Sequence, residues 1–254
     1  MFIVFLLILL LVTGSALSGY SQSSKILEQT LTKEATNNAL QYAQLIEEWL
    51  KGIRLQMLSL ADTDAIKSMD WATQSATLER IIENQQHIET FFVADTNGWG
   101  RITMNREAIT DLSGEDYFGQ VIDSEEPHIS NPVKSQLSDD YVIVMAVPIF
   151  IPGFDVLNGI LGATIKLDYL QQMVKQMNIS GKGWGWIITN NQQVVAHPES
   201  KYVGNTNLLE ESGAELYKLV AEKITTPEPG TAFCKINSQK MQIAYAGFYL
   251  LMPV

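Results

Sequence analysis

The chain has 254 residues with 28 Asp or Glu against 17 Lys or Arg, a formal charge of −11. A surface this acidic argues against nucleic-acid binding, because phosphate contact needs clustered Lys and Arg. The lone Cys234 excludes an internal disulfide; Phe233 and Ile236 beside it read as strand, so it is expected as a small buried hydrophobe.

From Met1 to Ser24 there is no charged residue, and Phe2 to Val12 is almost wholly aliphatic. A bilayer core takes about 20 apolar residues as helix, so residues 1–20 are expected to form a transmembrane anchor. A cleaved signal peptide would carry a basic region before the apolar run. That region is missing, and Gly14-Ser15-Ala16 is only a passable cleavage site. On either reading the chain after about residue 20 lies outside the cell's inner (plasma) membrane, and about this much chain suits one long domain or two small ones.

Beyond the anchor, Ile46, Leu50, Ile53, Met57 and Leu60 recur at three- and four-residue steps, with Glu47, Glu48, Lys51 and Arg54 between them. This is the spacing of an amphipathic helix. Extended backward, the same phase collects Leu27, Leu31, Ala39 and Ala43. No proline precedes Pro127 and no glycine falls between Tyr20 and Gly52, so one stalk helix of about ten turns is expected to rise from the membrane. A second helix is expected over 72–88, through Leu78, Ile81 and Ile82. These helices make up residues 21–88.

Two later stretches echo one another. Phe91-Phe92-Val93-Ala94-Asp95-Thr96-Asn97-Gly98, running to Ile102, and Trp186-Ile187-Ile188-Thr189-Asn190-Asn191-Gln192-Gln193, running to Ala196, each read as strand, polar turn and strand. Asn97-Gly98 is the stronger turn, since glycine takes positive φ without a Cβ clash. Between them, Ser113 is placed to cap a helix carrying Tyr117, Phe118 and Val121. Pro127 to Ser130 is extended, Asn131-Pro132 a turn, Tyr141 to Phe150 a buried strand broken by Pro152-Gly153, and Ile160 to Leu167 another strand. Asp168 is placed to cap a helix bearing Leu170, Met173, Val174 and Met177. Later come Gly181-Lys182-Gly183, a helix over 210–223, a turn at Pro227 to Gly230, and strands at 231–236 and 242–248. Tight turns between strands imply antiparallel pairing.

In this order the residues resemble a family. The long helix, the Phe91 hairpin, Asp111-Leu112-Ser113 through Asp116-Tyr117-Phe118, Ala146-Val147-Pro148, Gly159-Ile160-Leu161-Gly162-Ala163, Leu167-Asp168-Tyr169-Leu170, Val195-Ala196-His197-Pro198 and Val203-Gly204-Asn205 are similar to the double Cache sensor domain of bacterial receptors. The resemblance implies an α+β fold: an N-terminal membrane helix and long stalk helix, then two PAS-like antiparallel-sheet lobes in series. The membrane-distal lobe would be residues 89–178 and the membrane-proximal lobe 179–254. It also implies an extracytoplasmic sensor, foremost of a methyl-accepting chemotaxis protein and alternatively of a histidine kinase or diguanylate cyclase, working as a homodimer with a small-molecule ligand in the distal lobe. The family continues with a last strand, a second membrane span and a cytoplasmic signalling module, which the chain ending Leu250-Leu251-Met252-Pro253-Val254 is expected to lack. The rival reading is a membrane-anchored module that binds a protein or the cell wall.

One branch of this family holds free amino acids with an Arg beside an aromatic pair, a Tyr and an Asp on the next strand, and a later Asp. Aligned on Tyr117-Phe118, the arginine position holds Glu115; aligned on Pro127, the Tyr and Asp positions hold His128 and Ser130; aligned on Gly162, the last Asp position holds Thr164. Glu115 repels a carboxylate and offers no forked donor, so ordinary amino-acid recognition is expected to be lost. In its place Tyr117, His128, Ser130, Thr164 and Glu115, with Phe92 and Phe118 as apolar walls, are expected to form a pocket for a polar or cationic metabolite. Enzyme readings find no support. His87, His128 and His197 are isolated, no G-x-S-x-G, H-E-x-x-H or phosphate-cradling loop occurs, and Glu125-Glu126 and Asp139-Asp140 read as solvated loop acids. No cofactor or metal is expected.

Overall fold

Uninterrupted by proline, the N-terminal residues of the computed structural model form one helix, α1 (Phe2–Ala61), about 90 Å long. The structure describes residues 2–177, 184–189, 191, 193–204, 228–236 and 239–247, and the side chains among them outside 2–14, 105–107 and 233–241. The buried face of α1 is Ala35, Ala43, Ile46, Leu50, Ile53, Met57 and Ala61; from Ala43 to Met57 it follows the sequence spacing, while the expected Ala39 and Leu60 are half-buried. Each large side chain in it contributes about 2 kcal/mol of burial. Toward the N-terminus α1 leaves the folded body: Leu31 is half-buried, and Leu27, expected in the stripe, is exposed on another line of the helix. Among the described residues no helix is long and apolar enough to cross a membrane.

A short helix, α2 (Asp64–Lys67), and then α3 (Trp71–Ile82) follow. Asp70 caps α3, accepting from the Thr73 backbone N–H at 3.1 Å and its hydroxyl at 2.6 Å. These bonds hold the Asp70 carboxyl below its usual range. The helix stops short of the expected residue 88 because Ile88 instead opens β1 (Ile88–Asp95) and pairs with Ile165.

The strands β1, β2 (Trp99–Ile102), β3 (Asn105–Asp111), β4 (His128–Ile129), β5 (Val133–Lys134), β6 (Tyr141–Phe150) and β7 (Leu157–Lys166) make one seven-stranded antiparallel sheet. Its order is β3-β2-β1-β7-β6-β4, with β5 also on β6. The β1–β2 turn is closed by the Gly98 N–H on the Asp95 carbonyl, while the Asp95 carboxylate accepts the Asn97 and Trp99 N–H groups. Gly98 alone in that turn has positive φ, 92°, and a Cβ there would stand 2.7 Å from the Ser113 backbone.

Because side chains alternate along a strand, each face of this sheet has its own core. Phe91, Val93, Ile143, Met145, Val147, Leu161, Ala163 and Ile165 face α1 and α3. Phe92, Ala94, Val144, Ala146 and Ile160 face the other way, onto α4 (Asp116–Ser124) with its Tyr117, Phe118 and Val121. With both faces covered, β6 and β7 read as continuous apolar runs.

Two expected caps take a different form. Helix α4 starts at Asp116 with Glu115 before it, and Ser113 instead donates its N–H to the Asp111 carboxylate at 2.9 Å. Helix α5 (Asp168–Gln176) starts at Asp168 itself, whose charge sits in the first turn and favours the helix dipole without a capping bond. After α5 the described residues hold two hairpins: β8 (Ile187–Ile188) with β9 (Val194–Ala196), and β10 (Gly230–Ile236) with β11 (Gln239–Tyr245). The second lies along α1, where Gln242 Nε2 donates to Thr32 Oγ1 at 2.6 Å. The expected features at 181–183, 190, 192, 205, 210–223, 227 and 250–254, and the Cys234 side chain, lie outside the described residues.

Candidate functional site

On the α4 face of the sheet, two rows of directly paired residues make a floor. Thr90, Thr164 and Val144 form one; Phe92, Gly162 and Ala146 form the next. The Phe92 ring lies where a Cβ on Gly162 would stand, 1.9 Å from its Cζ. Glycine on β7 is thus what lets the ring lie flat along the sheet. Beside it the Tyr117 ring packs at 5.8 Å. Between this floor, the start of α4 and the segment after β5 opens a cleft of about 100 Å³. Pockets for drug-sized ligands measure roughly 300–1,000 Å³, so in this form the cleft has room for only a few heavy atoms.

Phe92, Glu115, Tyr117 and Thr164 line the cleft. Glu115 is half-buried at the residue preceding α4, and its charge joins burial, the larger cause, in pushing the Tyr117 phenol up, so the phenol stays protonated. Phe118, His128 and Ser130 are not among the lining residues. Phe118 is buried in the α4 core with Val121. Ser130 is committed to the fold: its hydroxyl donates to the Asn131 carbonyl at 2.7 Å and accepts the Val144 N–H at 2.8 Å. His128, on β4, pairs with Ala146 of β6, and burial lowers its imidazole pKa while the Asp116 charge pushes the other way.

Sequence reasoning missed the opposite wall. Glu89 and Thr90 line the cleft from β1, Lys134 from the end of β5, and Ser135, Gln136 and Leu137 from the segment that joins β5 to β6. Glu89 accepts the Ser135 hydroxyl at 2.6 Å and the Ser138 hydroxyl at 2.9 Å. The signal for Thr90 was available, since it stands two residues before Phe92 and so on the same face. The polar run 134–140 carried no such signal, because it reads as a solvated turn. The lining charges are the Glu89 and Glu115 carboxylates against the Lys134 ammonium. Among the described residues no group of three or more His, Cys, Asp or Glu side chains is placed to hold a metal ion.

A second aromatic group lies beside β9. His197 touches Trp184 at 4.8 Å and Tyr202 at 4.7 Å between ring centroids, with Trp186 at 6.4 Å. Its Nδ1 accepts the Glu199 N–H at 3.0 Å, and burial lowers its pKa. These rings fill one another's space and leave His197 5% exposed, so the group reads as packing.

Comparison with known proteins gives concordant results. The model of the Cache domain matches residues 23–248. The methyl-accepting chemotaxis protein PscA of Pseudomonas syringae pv. tomato is 24% identical over 204 residues, which cover 78% of this chain and 29% of PscA. The chain thus spans under a third of that relative's length. Among solved structures, an extracellular domain assigned to the histidine kinase mmHK1S-Z2 aligns with a TM-score of 0.69 at 16% identity, over 87% of this chain and 92% of that one. The ligand-binding domain of the Pseudomonas fluorescens chemoreceptor CtaA, solved with L-isoleucine, aligns with a TM-score of 0.65 at 13% identity, over 86% of each chain. At such identities the structures establish a shared fold.

Proposed function

The chain belongs to the Cache domain family, and from that membership we propose that it is the extracytoplasmic ligand-sensing input of a bacterial transmembrane receptor. Residues 1–20 anchor it, 89–178 form the membrane-distal lobe and 179–254 the proximal one. The order of attachments along α1 supports this division: β11 meets the helix at Thr32, whereas the large sheet covers Ile46 to Ala61, about 30 Å further from the N-terminus. The likeness to PscA favours a methyl-accepting chemotaxis receptor, with histidine kinases sharing the fold.

The observation that carries the reading is the cleft on the α4 face, floored by Phe92 and Thr164 and bordered by Glu115. We assign it a small polar or cationic metabolite. Two carboxylates against one ammonium leave the lining net acidic, and Thr164 offers a hydroxyl where the amino-acid binders of the family place a second acid. Binding then acts by shifting the population between two arrangements of the lobes. A thermal-shift panel of small amines, neutral polar metabolites and free amino acids tests it. Amines or neutral polar compounds are expected to raise the melting temperature; stabilisation by carboxylate-bearing amino acids as strong as by any other class contradicts the assignment, and no response from any class favours the anchored interaction module.

A further inference from the structure

The segment Pro132–Tyr141 touches three parts of the molecule at once. Its middle, Lys134 to Leu137, is the outer wall of the cleft. That wall is fastened to β1 by Glu89, whose two carboxylate oxygens take the Ser135 and Ser138 hydroxyls. Its own shape is kept by the Ser135 N–H on the Asp140 carbonyl at 3.0 Å and by the Leu137 N–H on the Ser135 hydroxyl at 3.0 Å.

Both ends rest on the hairpin β8–β9 and the residues just after it. At the first, Gln193 Nε2 donates to the Pro132 carbonyl at 2.9 Å and to the Gly204 carbonyl at 3.0 Å, bridging the two segments with one amide. At the second, the Tyr141 ring occupies the space beside Gly204 in which a Cβ would stand 2.0 Å away. Gln193 itself is held in the β8–β9 turn by Thr189: its carbonyl accepts the Thr189 N–H at 2.9 Å and its N–H donates to the Thr189 hydroxyl at 3.0 Å. A displacement of the cleft wall therefore pulls on a clasp fixed in the hairpin, and loss of the clasp frees the wall.

We propose that Pro132–Tyr141 is a strap coupling the cleft to the β8–β9 hairpin, with Glu89 the positioning residue at the cleft and Gln193 the positioning residue at the hairpin. The proposal rests on the reading of the cleft as the ligand site. It gives the ligand a direct lever: any group that competes for the Glu89 carboxylate, such as an ammonium, releases the Ser135 and Ser138 hydroxyls and with them the strap. Coupling of this kind is reciprocal.

Amide hydrogen exchange of the full chain in a membrane mimic, without ligand, tests it. In Glu89→Ala, exchange is expected to rise about tenfold not only at Ser135, Leu137 and Ser138 but also at Thr189 and Gln193. In Gln193→Glu, which keeps the side-chain volume and removes both donated bonds, the same rise is expected at Ser135 to Ser138. Changes confined to each variant's own side overturn the strap. Should Glu89→Ala fail to fold, Ser138→Ala removes a single hydroxyl and must show the same two-sided pattern. Because no ligand enters the measurement, two-sided exchange in a chain that no compound stabilises supports the strap while refuting the ligand assignment.

Discussion

Phe92 covers the part of β7 that Gly162 leaves bare, and the cleft owes its floor to that single missing Cβ. Gly162→Ala is expected to cost about 1–3 kcal/mol, because neither the ring nor the central strand can give way cheaply; urea unfolding measures it. The histidines carry a pH dependence of definite sign. Burial lowers the imidazole pKa of His87, His128 and His197 below the ordinary 6.5, so as pH falls the unfolded chain takes up protons first. Their stabilisation is whole above 6.5 and is lost as pH falls through the lowered values. The melting temperature should therefore hold above about pH 6.5 and drop as pH falls below it, ahead of the acid titration of the hydrogen-bonded Asp70 and Asp111; a profile flat below about pH 6.5 contradicts it. At this scale the sequence placed Glu115 and Thr164 on what is the lining of the cleft. It put Ser130 in the pocket, whereas the Ser130 hydroxyl serves the backbone of Val144, because the partner of a serine depends on folding that its neighbours do not encode.

The elements were legible in proportion to their hydrophobic period. The α1 stripe from Ala43 to Met57 and the strand Tyr141–Phe150 stand as their spacing predicts. Strands β3 and β5 escaped notice: β3 runs through polar Asn105 to Asp111 at the sheet edge, and β5 is only Val133–Lys134. Such strands are defined by the neighbour they pair with, which no local pattern records. On α1, Ile53→Ala is expected to lower stability by about 2–5 kcal/mol, since the residue is 3% exposed against the sheet. The other face of α1 gives the opposite expectation. Leu27 and Leu45 are both exposed and stand about five turns apart, hence on one line of the helix. We propose that this line meets a second copy in a homodimer, so Leu45→Glu should weaken self-association in sedimentation while leaving the melting temperature of the dilute chain within a few degrees.

At the scale of the whole molecule, one helix links a hairpin near Thr32 to a two-cored sheet at Ile46–Ala61, with the cleft on the sheet face turned away from that helix. The cleft lies in the smaller core, walled by the start of α4 and by Lys134 to Leu137, with the sheet between it and the stalk. The most direct test is isothermal titration of the chain and its Glu115→Arg variant with a small primary amine and with a free amino acid, at one ionic strength. The chain should bind the amine and not the amino acid; the variant, with a forked cation restored beside Tyr117, should reverse that preference by about tenfold or more. Equal profiles for the two proteins would contradict the cleft as the sensing site.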